Sequence, residues 1–253
     1  MREHYPPVPT PTLTGRRAPL AMLLHSQPPT IQEDEMQIAV IGAGNIGATL
    51  TRRLTALGHD VTVANSRGPG TLQDLATETG ATAADVTDAA RGAELVVVTI
   101  PLGHVPDLPD DLLAATAPGA VIVDTGNYYP QRDGRIDAIL EGTTESRWTA
   151  RQLGHPVVKA FNNIYAAHLL NGGRPAGDPE RFGLPVAGDD EGAKRTVMGI
   201  VDALGFDPVD AGSIDESWRQ QPGSAVYGTD LPADALRQAL AEQPPDRPAE
   251  FTP

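Results

Sequence analysis

The chain has 253 residues, enough for one α/β domain with a full hydrophobic core, alone or with a small appendage. Its formal net charge of -14 opposes binding to nucleic acid or to an anionic membrane surface, because both carry negative charge. The sequence contains no cysteine, which excludes disulfides, thiolate nucleophiles and zinc–thiolate sites and is typical of a cytoplasmic protein.

The two ends of the chain are predicted to lie outside the folded part. Residues 1–35 contain seven prolines and no sustained periodicity, which predicts a disordered leader. Residues 244–253 are also proline-rich and are predicted to form a frayed tail. No stretch approaches the roughly eighteen consecutive apolar residues that a membrane helix requires, so no membrane-spanning segment is expected.

From Met36 onwards the sequence alternates between predicted strands and predicted helices. The predicted strands are 37–41, 60–64, 94–100, 120–124, 156–161, 184–187 and 206–209, and the predicted helices are 45–57, 71–79, 164–170, 191–204 and 231–241. This alternation predicts an α/β protein with a doubly wound parallel sheet of the Rossmann type over 36–155. A small C-terminal α/β extension is expected over 156–243.

A glycine-rich turn, Gly42-Ala43-Gly44-Asn45-Ile46-Gly47, follows the first predicted strand and opens the first predicted helix. The spacing alone is weak, but its position between a strand and a helix is the one that a dinucleotide-binding fingerprint requires. Gly42 would permit the tight turn, Gly44 the close approach of a pyrophosphate, and Gly47 the packing of helix on strand. The free N–H groups from Asn45 onwards would face the anion.

The end of the second predicted strand indicates which dinucleotide is bound. NAD-binding proteins of this fold usually place Asp or Glu there, where its carboxylate binds the ribose hydroxyls. This chain has Asn65-Ser66-Arg67 instead. An amide, a hydroxyl and a guanidinium suit hydrogen bonding to a phosphate dianion. The turn therefore favours NADP(H) over NAD(H), although Arg67 taken alone could be a solvated loop charge.

The segment Thr99-Ile100-Pro101 ends the strand predicted over 94–100. It should border the cofactor, because ligands of this fold bind at the carboxyl edge of the sheet. His104 follows closely and could donate a proton, or it could only pack against the nucleotide or contact its ribose. The catalytic residue is therefore left unknown, with His104 as a candidate.

These motifs, together with two later blocks, resemble the family of NADPH-dependent coenzyme F420 reductases, which transfer hydride between NADPH and a deazaflavin. The later blocks are 184–190 and 209–212, and the resemblance covers about 36–213. It implies that Ser66 and Arg67 hold the 2′-phosphate and that the glycine turn holds the pyrophosphate. Segments 127–134 and 216–222 depart from the archaeal members, so the acceptor-side contacts are not carried over.

The segment 157–164 is also similar to the cytosolic NADPH domain of six-transmembrane metalloreductases, which pass electrons to flavin. This resemblance implies that Ala160 and Asn162, together with Thr99 to Pro101, border the nicotinamide. Lys159, one of only two lysines, could be catalytic as in 3-hydroxyacid dehydrogenases, or could contact the cofactor or a nearby carboxylate.

Two further groups of side chains have both a functional and a structural interpretation. Four aromatic residues could frame a flat acceptor or pack in the core: Tyr128, Tyr129, Phe161 and Trp218. Asp189, Asp190 and Glu191 look like metal ligands, but they directly precede a predicted helix. Helix capping is therefore expected, and no metal site is predicted.

The sequence thus predicts an NADP-dependent oxidoreductase that transfers hydride between NADPH and a small-molecule acceptor, either a deazaflavin such as coenzyme F420 or a flavin. Such a transfer requires orientation of two rings and no dedicated acid or base. In this interpretation residues 156–243 complete the acceptor cleft. An imine or carbonyl reductase on the same fold and a non-catalytic NADP(H) sensor are the alternatives. The chain could assemble as a homodimer.

Overall fold

Six parallel strands form the main sheet, in the order β3-β2-β1-β4-β5-β6. In the computed structural model, which describes residues 35–245, the strands are β1 Gln37–Ile41, β2 Asp60–Ala64, β3 Thr82–Ala84, β4 Leu95–Val98, β5 Val121–Asp124 and β6 Val158–Lys159. The chain builds outwards from β1 to β3 and then outwards again from β4 to β6. The adjacent strands β1 and β4 are therefore followed by connections that lead in opposite directions along the sheet. Doubly wound sheets bind their ligands at the crevice between two such connections.

Helices cover both faces of this sheet. Within the described residues the α-helices are α1 Asn45–Ala56, α2 Gln73–Thr79, α3 Val86–Ala89, α4 Pro130–Asp133, α5 Asp137–Leu140, α6 Glu145–Leu153, α7 Ala166–Asn171, α8 Glu191–Ala203 and α9 Ala233–Glu242. Short 3₁₀ helices occupy Pro69–Leu72, Leu102–Asp107 and Ile214–Gln220. No helix in this part of the chain is long and apolar enough to cross a bilayer.

The core lies in two layers because successive residues of a strand face opposite sides of the sheet. In β1, Ile38 and Val40 pack into one buried cluster, whereas Ala39 and Ile41 pack into the other. The first cluster is covered by the apolar faces of α1 and α8, and the second by α3 and neighbouring loops. Burial on both faces explains why β4 reads as a continuous apolar run.

The C-terminal part adds a second, two-stranded parallel sheet made of β7 Gly183–Val186 and β8 Asp207–Asp210. A single antiparallel bridge between Lys159 and Ala187 connects the end of β7 to the end of β6. Helices α8 and α9 pack on this small sheet. The predicted fold, a Rossmann sheet with a small C-terminal α/β extension, is confirmed.

The element bounds differ from the predicted ones in several places. The strand predicted over 156–161 shortens to Val158–Lys159, because the backbone turns at Phe161, which has a φ of 60°. The strand β3 and the helices α3 to α6 were not predicted. The predicted leader at 1–35 and tail at 244–253 lie almost entirely outside the described residues.

Candidate functional site

A cleft of about 530 Å³ opens at the carboxyl edge of the main sheet, over β1, β2 and β4. The loops that follow these strands form its walls, and it is lined by residues 41–44, 65–67, 99–101, 104 and 107–109, with Val86. The cleft thus brings together three segments that were singled out separately in the sequence: the glycine turn, the turn after β2 and the end of β4.

The glycine turn has the geometry that a bound pyrophosphate requires. Gly42 adopts a φ of 112°, and a Cβ added there would lie 2.3 Å from the Thr99 carbonyl oxygen. A Cβ added at Gly47 would lie 1.9 Å from the Gly42 carbonyl oxygen, so α1 packs against the turn without room for a side chain. At Gly44, by contrast, a Cβ would meet no protein atom within 4 Å.

Gly44 therefore leaves open space in front of the turn, and the fold itself does not require a glycine there. The helix α1 begins at Asn45, and its first hydrogen bond runs from the Ala48 amide to the Gly44 carbonyl at 2.8 Å. The amides of Asn45, Ile46 and Gly47 therefore have no intrahelical acceptor, as at any helix N-terminus. Open space beside unpaired amides and the positive end of a helix dipole fits a pyrophosphate.

The turn after β2 is held by the side chain of Asn65. Its Oδ1 accepts a hydrogen bond from the Arg67 amide at 2.9 Å, and its Nδ2 donates to Thr71 Oγ1 at 3.0 Å. Ser66 and Arg67 are exposed, and the guanidinium of Arg67 has no hydrogen-bond or ion-pair partner among residues 35–245. Asn65 thus shapes the turn and leaves Ser66 and Arg67 to face the cleft, where they could hold a phosphate.

The opposite wall of the cleft is formed by Thr99 to Pro101 and the 3₁₀ helix Leu102–Asp107. His104 lies on this wall, and its Nδ1 is 2.8 Å from Asp107 Oδ2. Both side chains are largely exposed. The structure therefore places His104 beside the cleft with a carboxylate partner, in a position to contact a nucleotide.

A buried aspartate connects the loop after β4 to the loop after β5. Asp133 accepts hydrogen bonds from the Gly103 amide at 3.2 Å and from the Tyr129 amide at 2.8 Å, and it pairs with Arg132 at 2.9 Å. Burial of the carboxylate opposes its charge, but the hydrogen bonds from Arg132 and the two amides outweigh that effect and lower the pKa of Asp133. Asp133 thereby fixes the spacing of the two loops.

Ala160 and Asn162 do not line this cleft. Both are buried at the carboxyl end of β6. Asn162 Nδ2 donates to Asn127 Oδ1 at 3.0 Å and to the Gln220 carbonyl at 2.7 Å, and its Oδ1 accepts from Gln220 Nε2 at 3.0 Å. The asparagine therefore joins the loop after β5 to the C-terminal segment through a buried amide network.

Lys159 is fully buried in a charged cluster that was not predicted. Its Nζ lies 3.7 Å from Asp124 Oδ2 and 3.6 Å from Glu145 Oε2, and it donates a hydrogen bond to the Gly126 carbonyl. Asp124 also accepts from the Gly126 amide at 2.9 Å and from Ser146 Oγ at 2.6 Å. Three roles were considered for Lys159: catalysis, contact with the cofactor and contact with a nearby carboxylate. The structure shows the last of these, and this contact fixes the loop after β5.

The remaining candidates divide between core and surface. Tyr128 and Phe161 are buried core residues, Trp218 is partly buried beside Arg219, and Tyr129 lies near the surface. Asp190 caps α8 by accepting a hydrogen bond from the Ala193 amide at 2.7 Å, which confirms the predicted capping.

Comparison with known proteins finds relatives over most of the chain. Residues 37–128 match the family described as NADP oxidoreductases, coenzyme F420-dependent. A hypothetical protein of Sinorhizobium meliloti is 30% identical with a TM-score of 0.67, and the match covers 78% of this chain and 95% of that one. An Arthrobacter protein proposed to be an F420-dependent NADP reductase is 28% identical with a TM-score of 0.61, covering 72% of this chain and 87% of its own.

A curated relative extends the likeness to a second group. Rat metalloreductase STEAP3 is 30% identical over 188 residues, which cover 73% of this chain and 35% of STEAP3. The chain spans less than half the length of the curated relatives that it matches. The family match falls on the strands and loops that build the cleft, so residues 37–128 form a domain of the NADP oxidoreductase type, and the Sinorhizobium relative is matched over nearly all of its length.

Proposed function

We propose that this protein catalyses hydride transfer between NADPH and a deazaflavin or flavin-like acceptor. The observation that supports the cofactor half is the turn after β2, where the exposed Arg67 and Ser66 line the cleft and the turn itself, residues 65–68, contains no Asp or Glu. A 2′-phosphate dianion matches that pair of donors. The family description and the Arthrobacter relative support the deazaflavin as acceptor.

In this proposal the residues from Gly42 to Gly47 hold the pyrophosphate, those from Asn65 to Arg67 hold the 2′-phosphate, and Thr99 to Pro101 border the nicotinamide. Ala160 and Asn162 are buried and do not line the cleft. In this proposal Asn162 supports the loop that follows β5 through its hydrogen bond to Asn127. Bound NADPH supplies the hydride. Residues 36–155 act as the cofactor-binding domain, and residues 156–243 close the acceptor side.

The chain's own residues contribute orientation. Asp133 and Lys159 fix the loop after β5 from two sides, so the groups at the carboxyl edge keep one geometry. Hydride transfer requires the donor and acceptor rings at near-attack distance, and a fixed edge supplies that arrangement without a proton donor. His104 needs no role in the chemical step. Assembly as a homodimer stays a prediction.

The proposal is tested by mixing the purified protein with NADPH and, separately, a deazaflavin, FMN, ferric citrate or a cyclic imine, and following oxidation of the nicotinamide by absorbance. We expect the deazaflavin or FMN to be reduced, in stoichiometric amounts and faster than without protein. Reduction of the imine alone would indicate an imine reductase. Tight NADPH binding without reduction of any acceptor would overturn the enzymatic proposal and favour a sensor.

A further inference from the structure

Three of the chain's five tyrosines meet at the carboxyl edge of β5 and β6. Tyr129 follows β5, Tyr165 precedes α7, and Tyr227 belongs to the segment between the last 3₁₀ helix and α9; we call them the tyrosine trio. The hydroxyls of Tyr129 and Tyr227 are hydrogen-bonded to each other, and Asn127 Nδ2 lies 3.5 Å from the Tyr227 oxygen. A phenol can donate one hydrogen bond and accept two, so such a pair can still bind a polar ligand.

Tyr165 is unusual because its side chain is 59% exposed. Its ring packs edge-on against His168 with the ring centroids 5.5 Å apart. A Cβ added at Gly228 would lie 2.9 Å from the Tyr165 hydroxyl, so the phenol lies directly beside the residue that follows Tyr227. The ring is thus fixed in place while much of its surface faces solvent, and a fixed aromatic face of this kind can stack on a planar ligand.

The backbone that carries Tyr227 is attached to the end of β6. The Gly228 amide donates to the Asn163 carbonyl at 2.8 Å, and Asn163 Nδ2 donates to the Val226 carbonyl at 3.3 Å. Asn163 is only 1% exposed. The two hydrogen bonds hold the residues directly before and after Tyr227, so the position of its phenol over the sheet edge is fixed.

The environment of Tyr227 keeps its phenol neutral. Burial, the hydrogen bond to Tyr129 and the nearby carboxylate of Glu145 together raise the pKa of Tyr227 above the usual range of a phenol. The guanidinium of Arg132 lies over the Tyr129 ring, 5.0 Å from its centroid, and fixes that ring from the solvent side. Tyr227 therefore stays a neutral phenol and does not act as a phenolate base.

The sheet order places the tyrosine trio next to the cofactor cleft. The cleft lies over β1, β2 and β4, and β5 and β6 follow β4 in the sheet. A dinucleotide whose adenosine half lies at β2 extends across β1 towards β4, so its nicotinamide end points to β5 and β6. Anything bound at the trio would consequently face that end.

We propose that the tyrosine trio is the acceptor subsite, with the Tyr165 ring stacking on a planar heteroaromatic acceptor and the Tyr129–Tyr227 pair hydrogen-bonding its polar edge of carbonyls and ring nitrogens. This inference rests on the proposed hydride transfer. A large, flat surface and paired hydrogen-bonding groups suit a multi-ring acceptor. A small aliphatic imine would use neither the exposed ring nor the second phenol.

The test measures binding of the acceptor without turnover. Oxidised deazaflavin or FMN is titrated into the protein saturated with NADP⁺, and binding is followed by the fluorescence of the acceptor. We expect Tyr227→Phe to weaken binding about three- to tenfold, the effect of one neutral hydrogen bond. Tyr165→Ala should weaken it about tenfold or more, by analogy with stacking of bases on aromatic side chains, whereas Tyr165→Phe should retain it.

Tyr128→Phe is the matched control. It removes a phenol from the same loop, but that hydroxyl is bonded to the Gly134 carbonyl at 2.8 Å and the ring is fully buried. We expect Tyr128→Phe to bind the acceptor as the unchanged protein does. All variants should bind NADPH nearly as the unchanged protein does, since none of the substituted tyrosines lines the cofactor cleft. Thermal unfolding of each variant reports whether it is folded.

The outcomes separate this inference from the proposed function. Hydride transfer that persists with unchanged acceptor binding in the Tyr165 and Tyr227 variants overturns the subsite and leaves the function standing. Binding that depends on the tyrosines without hydride transfer supports the subsite and overturns the function. Failure of the unchanged protein to bind either ring acceptor overturns the subsite, and reduction of an imine in the same preparation would then reassign the acceptor.

Discussion

At the scale of single residues, the proposed preference for NADPH over NADH depends on Arg67. Its guanidinium faces the cleft without a partner in the described chain, so a 2′-phosphate would provide the charge that it lacks. We expect Arg67→Ala to raise the Kd of NADPH about 10- to 100-fold, since a charge-assisted hydrogen bond contributes about 1.5–3 kcal/mol. The Kd of NADH should change little, because NADH lacks that phosphate.

Arg195→Ala is the control for this measurement, because Arg195 is another exposed arginine, located on α8 away from the cleft lining. Fluorescence titration of both nucleotides with both variants gives the four affinities that are needed. An equal loss of NADPH and NADH affinity in Arg67→Ala would refute the assignment of the 2′-phosphate to this residue.

Two glycines of the same turn should respond oppositely to a methyl group. Gly44→Ala is expected to change the free energy of unfolding by less than about 1 kcal/mol, because the added Cβ meets no protein atom. It should nevertheless weaken the binding of NADPH at least about tenfold, or 1.4 kcal/mol, because the added methyl group would occupy the space proposed for the pyrophosphate. Gly47→Ala collides with the Gly42 carbonyl and should cost about 1–3 kcal/mol of stability. Urea denaturation and NADPH titration separate the two effects, and a Gly44→Ala variant with normal affinity would contradict the site.

At the scale of elements, the junction of β5, β6 and α6 depends on one buried lysine. Removing Lys159 leaves the carboxylates of Asp124 and Glu145 buried without their cation. We expect Lys159→Met to lower the free energy of unfolding by about 3–5 kcal/mol, the usual cost of breaking a buried ion pair. Lys194→Met, the same change at the other lysine, which is also buried, should cost less, because its partners Glu191 and Asp210 are at least half exposed and stay solvated when the ammonium is removed. Equal effects in urea denaturation would argue against the buried cluster.

The connection between the loops after β4 and β5 should depend on pH through Asp133. Because the pKa of Asp133 is lowered in the folded protein, its stabilising contribution is fully present above the unfolded value of 3.8 and is lost as the pH falls through the folded pKa. Asp133→Asn should cost about 1–3 kcal/mol at neutral pH by weakening hydrogen bonds to a charged group. The difference in free energy of unfolding between the two proteins should shrink below pH 3.8, and a difference that stays constant there would exclude this role.

The elements that could be predicted from the sequence are those whose apolar periodicity agrees with the turn and capping residues at their ends. The strands β1 and β2 have their predicted bounds, and α1 and α8 end within a residue of theirs. Helix α6 could not be predicted, because the face that it buries contains Glu145, Ser146 and Thr149, and polar residues give no apolar periodicity. Polar and charged residues are ordinarily on the surface, so nothing in the sequence indicated that these three would be buried.

The candidate site divides in the same way. The glycine turn and the turn after β2 are local, and the sequence alone placed both at the cleft. The acceptor side depends on contacts between distant segments: Asn127 with Asn162, and Tyr129 with Tyr227. The sequence did not indicate a role for Tyr165 or Tyr227. A single tyrosine in a loop has no sequence pattern that distinguishes core packing, ligand binding and exposure to solvent. Local motifs predict the cofactor, whereas the proposed acceptor side could be inferred only from the folded chain.

At the scale of the whole molecule, the net charge of -14 opposes the approach of any anion, including the one that the cleft is proposed to bind. The repulsion between the protein's net charge and the nucleotide is long-ranged, whereas the proposed contact with Arg67 is local. Salt screens the former far more than the latter, because the Debye length falls from about 30 Å at 0.01 M to about 10 Å at 0.1 M.

The association rate constant of NADPH should therefore rise with ionic strength over this range, by a factor of about two or more, if the field of the whole protein governs the encounter. NADH, with about two fewer negative charges, should show a smaller rise under the same conditions. Stopped-flow mixing with nucleotide fluorescence measures both rates, and potassium chloride and potassium acetate series exclude a specific anion effect. A rate for NADPH that falls with salt would mean that the local positive potential of Arg67 and the α1 N-terminus already dominates outside the cleft.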